Sequence, residues 1–567
     1  MSRLQPVDLT DFTGGINSAR SDFQLADNES PAILNMEVDP RVGFYTRPGW
    51  QRWNPTNIVA DPVNAWRPRN AQMHHYSNGT MAVFITNNNK VWAGAPNSTL
   101  VDLGAVAQAV PHLADPADWG DTVYLACGKN NACWRVIGQP AAGLLGGPIA
   151  SAASTVTPGY GLWNNDYTVP KRGVMPRCDH LEPHGGYIFA GNTMEDGIQH
   201  HNRVRWSHPD EPEDWHVDDY IDIEQGGGHI TALRSFNDHL LIFKDASVWA
   251  LFGYDSDSWQ LVKISASVGV PAPTCVTRSE DAVYFFSASG RNAIYAYTGQ
   301  SPVDISDKLR MALDELTNGT DIWLSWLGRR LWCSIPWDYH ATDDSHGSMF
   351  VFDPQIGGGA WLRHKPARGT IACTVENSDV ETEFPLVVTC GCTGVAGVMS
   401  IGISPTIAGD VFVQGEEAVG YRCRYRTSWK NMGWPELQKS WLRPRVIARV
   451  PPEPTTVRMT TFWNYNSTNE RRSHAFDLDS SGGVFWRATG ALEPGGFNWG
   501  DGTNWTSATA QGDVLVRPGV ANPATRGTSL GWARAVQLVF EPDDHTKAHA
   551  WGIDAIVLKV NMRRFTT

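Results

Sequence analysis

The feature that most limits what this chain can fold into is a recurrence: a short β-rich run, a turn and a second β-rich run, repeated along the middle of the sequence. Residues 81–85 match 90–93 across an Asn-rich turn, followed by 122–126 with 133–137, 187–190 with 203–206, and 240–243 with 247–251. The series ends with 282–286 and 293–297, 331–335 and 349–352, and 386–389 and 398–401. The first strands of these seven units start roughly 40 to 65 residues apart, the spacing of propeller blades carrying inserted loops. One hairpin alone has two open edges and too little core to be stable, so such units have to stack. Two or three β-sandwiches would use the same number of strands, and that alternative stays open on the sequence alone.

The pattern has limits at both ends. Residues 1–50 show no alternating strand pair but carry Gly14-Gly15, several Asp and Asn, and Arg47-Pro48-Gly49-Trp50, which reads as an extended arm ordered by another surface. The hairpin series lapses around 403–415. From Tyr421 the chain changes character: Arg422, Arg424 and Arg426 alternate with Cys423 and Tyr425, and later period-2 runs are separated by Gly, Asn and Pro loops, as in a sandwich or jelly roll. The expected organisation is all-β: an N-terminal arm over 1–50, a β-propeller of about seven blades over 51–405, and a C-terminal β-sandwich over 406–567. Helix signals are few. Residues 306–319 have Ser306 at an N-cap position and Leu309, Leu313 and Leu316 at helical spacing, and a very short helix is expected at Ser30 with Pro31 in its first turn.

Composition narrows the function. The chain has 25 Trp in 567 residues and only 19% charged residues, and Trp92, Trp134, Trp206 and Trp249 all fall in the second strand of a repeated hairpin, where they would pack blade on blade. The net charge is −13 with no Lys/Arg cluster, so nothing provides the basic face that gripping a nucleic-acid backbone requires. Nine scattered cysteines suit free buried thiols rather than a disulfide framework. The polar start of the chain lacks the basic-then-apolar pattern of a signal peptide, and no apolar run approaches the roughly 20 residues needed to span a bilayer. Folding in a cytoplasm is the expectation.

Chemical motifs are weak. Gly527-Thr-Ser529-Leu-Gly531 matches a nucleophile elbow, yet Pro518 and Pro523 precede it and a strand-like run follows, where the elbow needs a strand before and a helix after. Asp477, Asp479, Ser481 and Gly482 occupy positions 1, 3, 5 and 6 of a calcium loop, but Ala488 stands where a bidentate Glu belongs, so a β-turn is favoured over a metal. His180, Glu182 and His184 resemble a metal set, but Pro183 argues against the helix that would align the rings. Cys390 and Cys392 would share one strand face without a second pair to complete a zinc site. The acidic stretch 208–215 holds two prolines and reads as a solvated loop. Trp499 and Trp505 are the candidates for stacking on sugar rings, against a core-anchoring alternative. No cofactor motif is present, and neither a catalytic residue nor a cofactor is expected.

Two groups of motifs carry a resemblance. Phe12-Thr-Gly-Gly-Ile-Asn17, Leu34-Asn-Met-Glu-Val-Asp-Pro-Arg41 and Arg47-Pro-Gly-Trp50 resemble the opening of propeller-bearing tail proteins of tailed bacteriophages. So does a central series: Arg203-Val-Arg-Trp-Ser207, Asp214-Trp215, Asp219-Tyr-Ile-Asp222, Ile230-Thr-Ala-Leu233, Leu241-Ile-Phe-Lys244, Val248-Trp249, Gly299 and Asp304-Ile-Ser-Asp307. The similarity covers about the first 310 residues. It implies a nonenzymatic virion structural protein, a nozzle or hub assembled as a ring around the DNA exit path, with a minor tail or tail-tip protein binding a host receptor or glycan as the alternative. The implied partners are copies of the chain, a hexamer being favoured, other tail or connector proteins, DNA in non-specific passage, and the host surface. The implied location is the virion tail, assembled in the host bacterial cytoplasm.

Overall fold

A computed structural model describes residues 4–52, 70–137, 175–335, 349–366, 370–374, 386–404, 409–478 and 529–562 apart from short breaks, together with short strands at 498–499, 503–504 and 513–516. The described chain is all-β, with short helical turns as connectors. Successive meander sheets follow one another along the sequence. The first runs Asn70–His75, Met81–Asn87, Lys90–Gly94, Val101–Ala105, and the second has three strands, Ala114–Trp119, Thr122–Ala126, Trp134–Ile137. The third is Arg177–His184, Tyr187–Glu195, Ile198–Trp206, Tyr220–Asp222; the fourth is Ile230–Phe236, His239–Lys244, Val248–Phe252, Gln260–Ser265. A fifth comprises Val276–Arg278, Val283–Ser287, Ala293–Tyr297 and Val303–Asp304, and a sixth Trp323–Leu327, Arg330–Ser334, Met349–Asp353 and Ala360–His364. The next, Thr370–Thr374, Leu386–Cys392 and Val395–Ser404, takes its outer strand, Gly49–Arg52, from upstream of the first sheet. Every hairpin read from the sequence is a neighbouring strand pair here.

The chain divides into two compact units, 1–51 with 350–368 and 401–567, and 52–349 with 369–400. In the second unit, alternation on one strand shows why the sheets exist. Val123 and Leu125 of strand Thr122–Ala126 join the first sheet's Val91, Ala93 and Leu103, whereas Tyr124 and Ala126 face the third sheet's Leu181, Ile188 and Ala190. A sheet buried on both faces needs apolar residues at odd and even positions alike, which is why these strands read as continuous apolar runs. The next seam repeats this with Phe189, Val204 and Trp206 against Leu233, Ile242 and Trp249. Trp92, Trp134, Trp206 and Trp249 are all buried.

The first unit contains two larger sheets. In one, Gly552–Met562 lies between Arg445–Arg449 and Lys439–Leu442, with Asp513–Val516 and Ser529–Ala533 outside them; Leu4–Leu9 and Gly43–Thr46 also pair with Gly552–Met562. The other has the order Ala32–Leu34, Arg424–Arg426, Val536–Pro542, Thr455–Trp463, Asn466–Leu478. Rings from the two sheets meet: Phe44 stacks on Tyr425 at 4.0 Å, with Phe12 edge-on to both.

Four expectations are corrected. The first fifty residues are not an arm awaiting a surface: Met36–Asp39 and Gly43–Thr46 form a hairpin, and strands from this region are members of both large sheets. Their strands are only two to six residues long and broken by Asn, Asp and Pro, too short for periodicity to register. Nor is the propeller stretch continuous over 51–405, since 350–368 belongs with the first unit. Helix at Ser30 is replaced by strands Glu29–Ser30 and Ala32–Leu34. The 306–319 helix shrinks to a 3-10 turn, Asp307–Leu309, and one α turn, Arg310–Asp314. Ser306 makes no cap; its hydroxyl accepts the Ile294 amide and donates to Asp304.

Glycine positions test this packing. Gly43 has φ 80°, and a Cβ there would lie 2.2 Å from the Ile553 carbonyl oxygen, whereas Gly120 has φ 57° with open space around it. Gly120→Ala should cost about 1–2 kcal/mol of left-handed strain alone. Gly43→Ala should add a backbone clash and cost about 3 kcal/mol or more. Thermal unfolding followed by circular dichroism measures both, and equal shifts would refute the close approach at Gly43.

Candidate functional site

The Arg47-Pro-Gly-Trp50 motif builds a buried ionic centre in the first unit. Arg47 and Asp410 have side chains 1% and 0% exposed. All five guanidinium N–H groups have acceptors: Nη1 and Nη2 donate to the two Asp410 oxygens at 2.9 and 2.8 Å, Nε to Asn35 Oδ1 at 3.0 Å, and the remaining two to the Pro48 and Lys365 carbonyls. The guanidinium carbon lies 4.1 Å from the Trp50 ring centroid and 3.9 Å from that of Tyr421. Burial opposes the charge, but the Asp410 carboxylate outweighs it and holds Arg47 above the ordinary arginine value. Burial pushes the Tyr421 phenol well up. Asn35 completes the junction, donating to the Arg422 carbonyl and accepting from the Lys365 amide, while Glu37 meets His364 at 3.2 Å. Every guanidinium donor is engaged, so the cluster holds chain segments together rather than reacting.

The central motifs behave alike. Arg203 donates to Glu195 and, in fork geometry, to Asp222, with its guanidinium 3.7 Å from the Tyr220 ring. The acidic stretch is a solvated loop only in its first half: residues 208–211 are exposed, whereas Trp215 is buried among residues of the second and third sheets and Glu213 accepts from Tyr124 and Arg135. His180, Glu182 and His184 lie on strand Arg177–His184 and tie it to the next sheet rather than to a metal. His180 reaches the Ile230 carbonyl at 3.1 Å, Glu182 accepts the Ser235 amide at 2.8 Å, and His184 pairs with the Ser235 hydroxyl at 2.8 Å. Burial, assisted by the charge of His239, pushes the His184 imidazole down to about 4.

One pair has a chemically usable geometry. Asp245 Oδ2 accepts both the backbone N–H and the ring Nδ1 of His229, each at 3.0 Å, and the His229 side chain is 50% exposed. The hydrogen bond to Asp245 holds the imidazole above its ordinary value against burial. Asp179 and Lys129 also act on it electrostatically; Asp179 is held by the Lys129 amide at 2.9 Å and by Asn192 at 2.6 Å. An imidazole oriented by a carboxylate can exchange a proton near neutrality. Sequence reasoning passed over this pair. The sequence shows only the run Gly226-Gly227-Gly228 before His229; in the structure Gly228 has φ 72°, and a Cβ there would lie 2.1 Å from Asp245 Oδ2.

Only some of the other residues singled out from sequence lie among the described residues. Asp477 lies in strand Asn466–Leu478 opposite Thr456, and Trp499 in a two-residue strand opposite Thr503. Asp479, Ser481 and Trp505 fall outside the described residues. Among the described residues, no group of three or more His, Cys, Asp and Glu could hold a metal ion. Ser529 begins strand Ser529–Ala533, so no strand-to-helix elbow is built there. Cys390 and Cys392 belong to strand Leu386–Cys392.

No protein-family model and no curated protein matches this chain. Among similar solved structures is a virginiamycin B lyase from Staphylococcus aureus, 10% identical, covering 71% of this chain and 100% of its own, with a TM-score of 0.35. A streptogramin B lyase is 10% identical over 61% of this chain and 96% of its own, TM-score 0.34. PorZ, a surface component of the type-IX secretion system of Porphyromonas gingivalis, is 10% identical over 74% of this chain and 46% of its own, TM-score 0.33. Likeness at this level transfers neither activity nor substrate. The expectation that the chain is not an enzyme is corrected to this extent: solved structures similar to it include lyases. The missing local motifs do not decide the matter, because a site assembled from loops of several sheets leaves no contiguous motif.

Replacing Arg47 by Met strands the Asp410 charge and should cost about 3–5 kcal/mol in urea unfolding, with most of it recovered when Asp410→Leu is added. Unchanged stability in Arg47→Met would sink the ionic centre. His229 should stabilise the fold fully below about pH 6.5 and lose that contribution as pH rises through its higher folded-state value. The stability gap between the wild-type chain and His229→Gln should therefore narrow from pH 5.5 to pH 8.5. A gap that widens over this range has the wrong sign.

Proposed function

We propose that this chain is a virion protein of a tailed bacteriophage. In this reading it carries a propeller of about seven blades and a C-terminal β-sandwich, and it assembles as a ring, a hexamer being favoured, at the DNA exit path of the tail. One observation carries the reading: the residues that resemble tail proteins are used for internal ties. Asn35, Glu37, Arg47 and Trp50 build the buried centre with Asp410, and Arg203, Trp215 and Asp222 secure the third sheet and its loop. A resemblance that follows the architecture itself supports a shared structural role more than a coincidence of surface residues would.

The outer strand Gly49–Arg52 supports closure of the propeller, because it adds to the last sheet from a position upstream of the first and leaves fewer exposed edges. Ring assembly follows the rule that repeated heterologous contacts close when the rotation permits. The net charge of −13 suits a channel that DNA traverses without adhering. Neighbouring partners in this reading are other tail or connector proteins, and assembly takes place in the host cytoplasm.

Electron microscopy of the purified full-length chain should show rings, sixfold in the favoured case, and antibody labelling of virions should mark the tail end. A stable monomer with no label on virions, or a ring whose pore is lined mainly by Arg and Lys, would overturn the proposal.

A further inference from the structure

Two of the nine cysteines meet. Cys133 Sγ and Cys178 Sγ are 3.6 Å apart in the seam between the second and third sheets. Local structure brings them there. Strands Thr122–Ala126 and Trp134–Ile137 are joined by residues 127–133, a turn with Cys127 at one end and Cys133 at the other. Gly128 has φ 80°, and Asn131 closes the turn, its amide donating to the Gly128 carbonyl and its side chain to the Cys127 carbonyl, both at 2.9 Å. The turn is hooked to the third sheet through Asp179, whose Oδ1 accepts the Lys129 amide at 2.9 Å while Asn192 holds Oδ2 at 2.6 Å. Successive residues of strand Arg177–His184 point to opposite faces, so the hook on half-buried Asp179 fixes the register that turns Cys178 into the seam.

In the reduced chain these sulfurs make only weak contacts. Cys133 Sγ donates to the Pro176 carbonyl at 3.4 Å and Cys127 Sγ to the Leu125 carbonyl at 3.5 Å, and among the described residues Cys178 Sγ meets no hydrogen-bonding partner but Cys133. Burial, with the Cys133 thiol beside it, pushes the Cys178 thiol well up, and burial does the same to Cys127. Thiols in that state are inert until their surroundings open. The pair lies at the end of the seam, beside a turn in which Asn130 is exposed and Lys129 and Ala132 are half-buried, and Cys133 is 3% exposed against 0% for Cys178. Releasing the Asp179 hook uncovers Cys133 without parting the sheets, a local opening far cheaper than unfolding. A disulfide is about 2.05 Å long, so the sulfurs have to approach by about 1.5 Å, within reach of side-chain rotation at the end of a turn.

We infer that Cys133 and Cys178 are an oxidation site, at which a peroxide converts the two thiols into a disulfide that staples the second sheet to the third. The Cys133 sulfur attacks the peroxide; the O–O bond breaks, Cys133 becomes a sulfenic acid and one water leaves. The Cys178 sulfur then attacks that sulfur; the S–O bond breaks, the S–S bond forms, and the hydroxyl departs with the Cys178 proton as a second water. Two electrons pass from the thiols to the peroxide. The bond joins residues 45 positions apart across the apolar layer of Tyr124, Leu181 and Ile188, so it restricts the unfolded chain and keeps the seam shut. Such a pair stays open where thiols are kept reduced and closes in an oxidising medium. Because it acts within one chain, the staple does not rest on the tail reading.

The reduced full chain is to be treated with hydrogen peroxide, denatured, alkylated and digested with trypsin without reductant, and its peptides mapped by mass spectrometry. Trypsin separates Cys127 from Cys133 at Lys129, so peptide 130–135 should be found joined to 178–203, parting on addition of dithiothreitol, and two fewer of the nine cysteines should be alkylated. The thermal midpoint should rise by roughly a few degrees with the bond and return on reduction. Neither Cys133→Ala nor Cys178→Ala should show that rise, whereas Cys127→Ala should keep both the link and the rise. Cys178→Ala should instead accumulate a sulfenic acid at Cys133 that dimedone traps. All nine cysteines alkylated after peroxide, a link that uses Cys127, or an oxidised chain that melts no higher than the reduced one would each overturn the inference. The mapping uses the wild-type chain and decides the matter even where a variant fails to fold.

Discussion

A meander sheet with apolar residues on both faces cannot exist alone in water, and the second unit follows from that constraint. Strand Thr122–Ala126 sends Val123 and Leu125 to one neighbouring sheet and Tyr124 and Ala126 to the other, so neither seam can open without exposing a full apolar layer. The same requirement places the tryptophans. A buried indole supplies a large apolar area to a seam, and Trp134, Trp206 and Trp249 each belong to a cluster shared by successive sheets.

Apolar layers alone do not specify one arrangement, and the buried polar groups supply what they lack. Arg47 has all five donors matched, Lys439 donates to three carbonyls, and Lys244 reaches the Ile223 and Gln225 carbonyls. Desolvation makes such groups poor sources of net stability, yet removing one partner leaves an unmatched charge, so they penalise wrong pairings more than they reward the right one. Glu182 with the Ser235 amide and Glu213 with Tyr124 do this between adjacent sheets. The residues with the most suggestive chemistry in the sequence, the His180 to His184 set and Glu213 of the acidic stretch, are in fact ties of this kind.

Legibility in the sequence tracked the length of the periodic signal. Hairpins of five or more residues per strand, such as Met81–Asn87 with Lys90–Gly94, could be paired correctly from alternation and turn residues. Strands of two to four residues, such as Ala32–Leu34 and Met36–Asp39, could not, because their partners, Arg424–Arg426 and Gly43–Thr46, are recognised by contact rather than by pattern. The helix expected at 306–319 failed for a related reason: Ser306 is held by Ile294 and Asp304 of the fifth sheet, and tertiary contacts override a local capping signal. His229 and Asp245 are sixteen residues apart with no motif between them, and the close approach of Gly228 to Asp245 is visible only in the structure.

By itself the sequence determined the all-β class, the repeating hairpins and the burial of their tryptophans, because all three rest on short-range alternation and on the size of an indole. Tertiary structure alone decided that the first fifty residues belong to the sheets of the C-terminal unit and that Arg47 finds Asp410 across 363 positions. Those outcomes depend on which surfaces meet once the layers have formed, and charge pairing at that distance leaves no trace in the local order of residues.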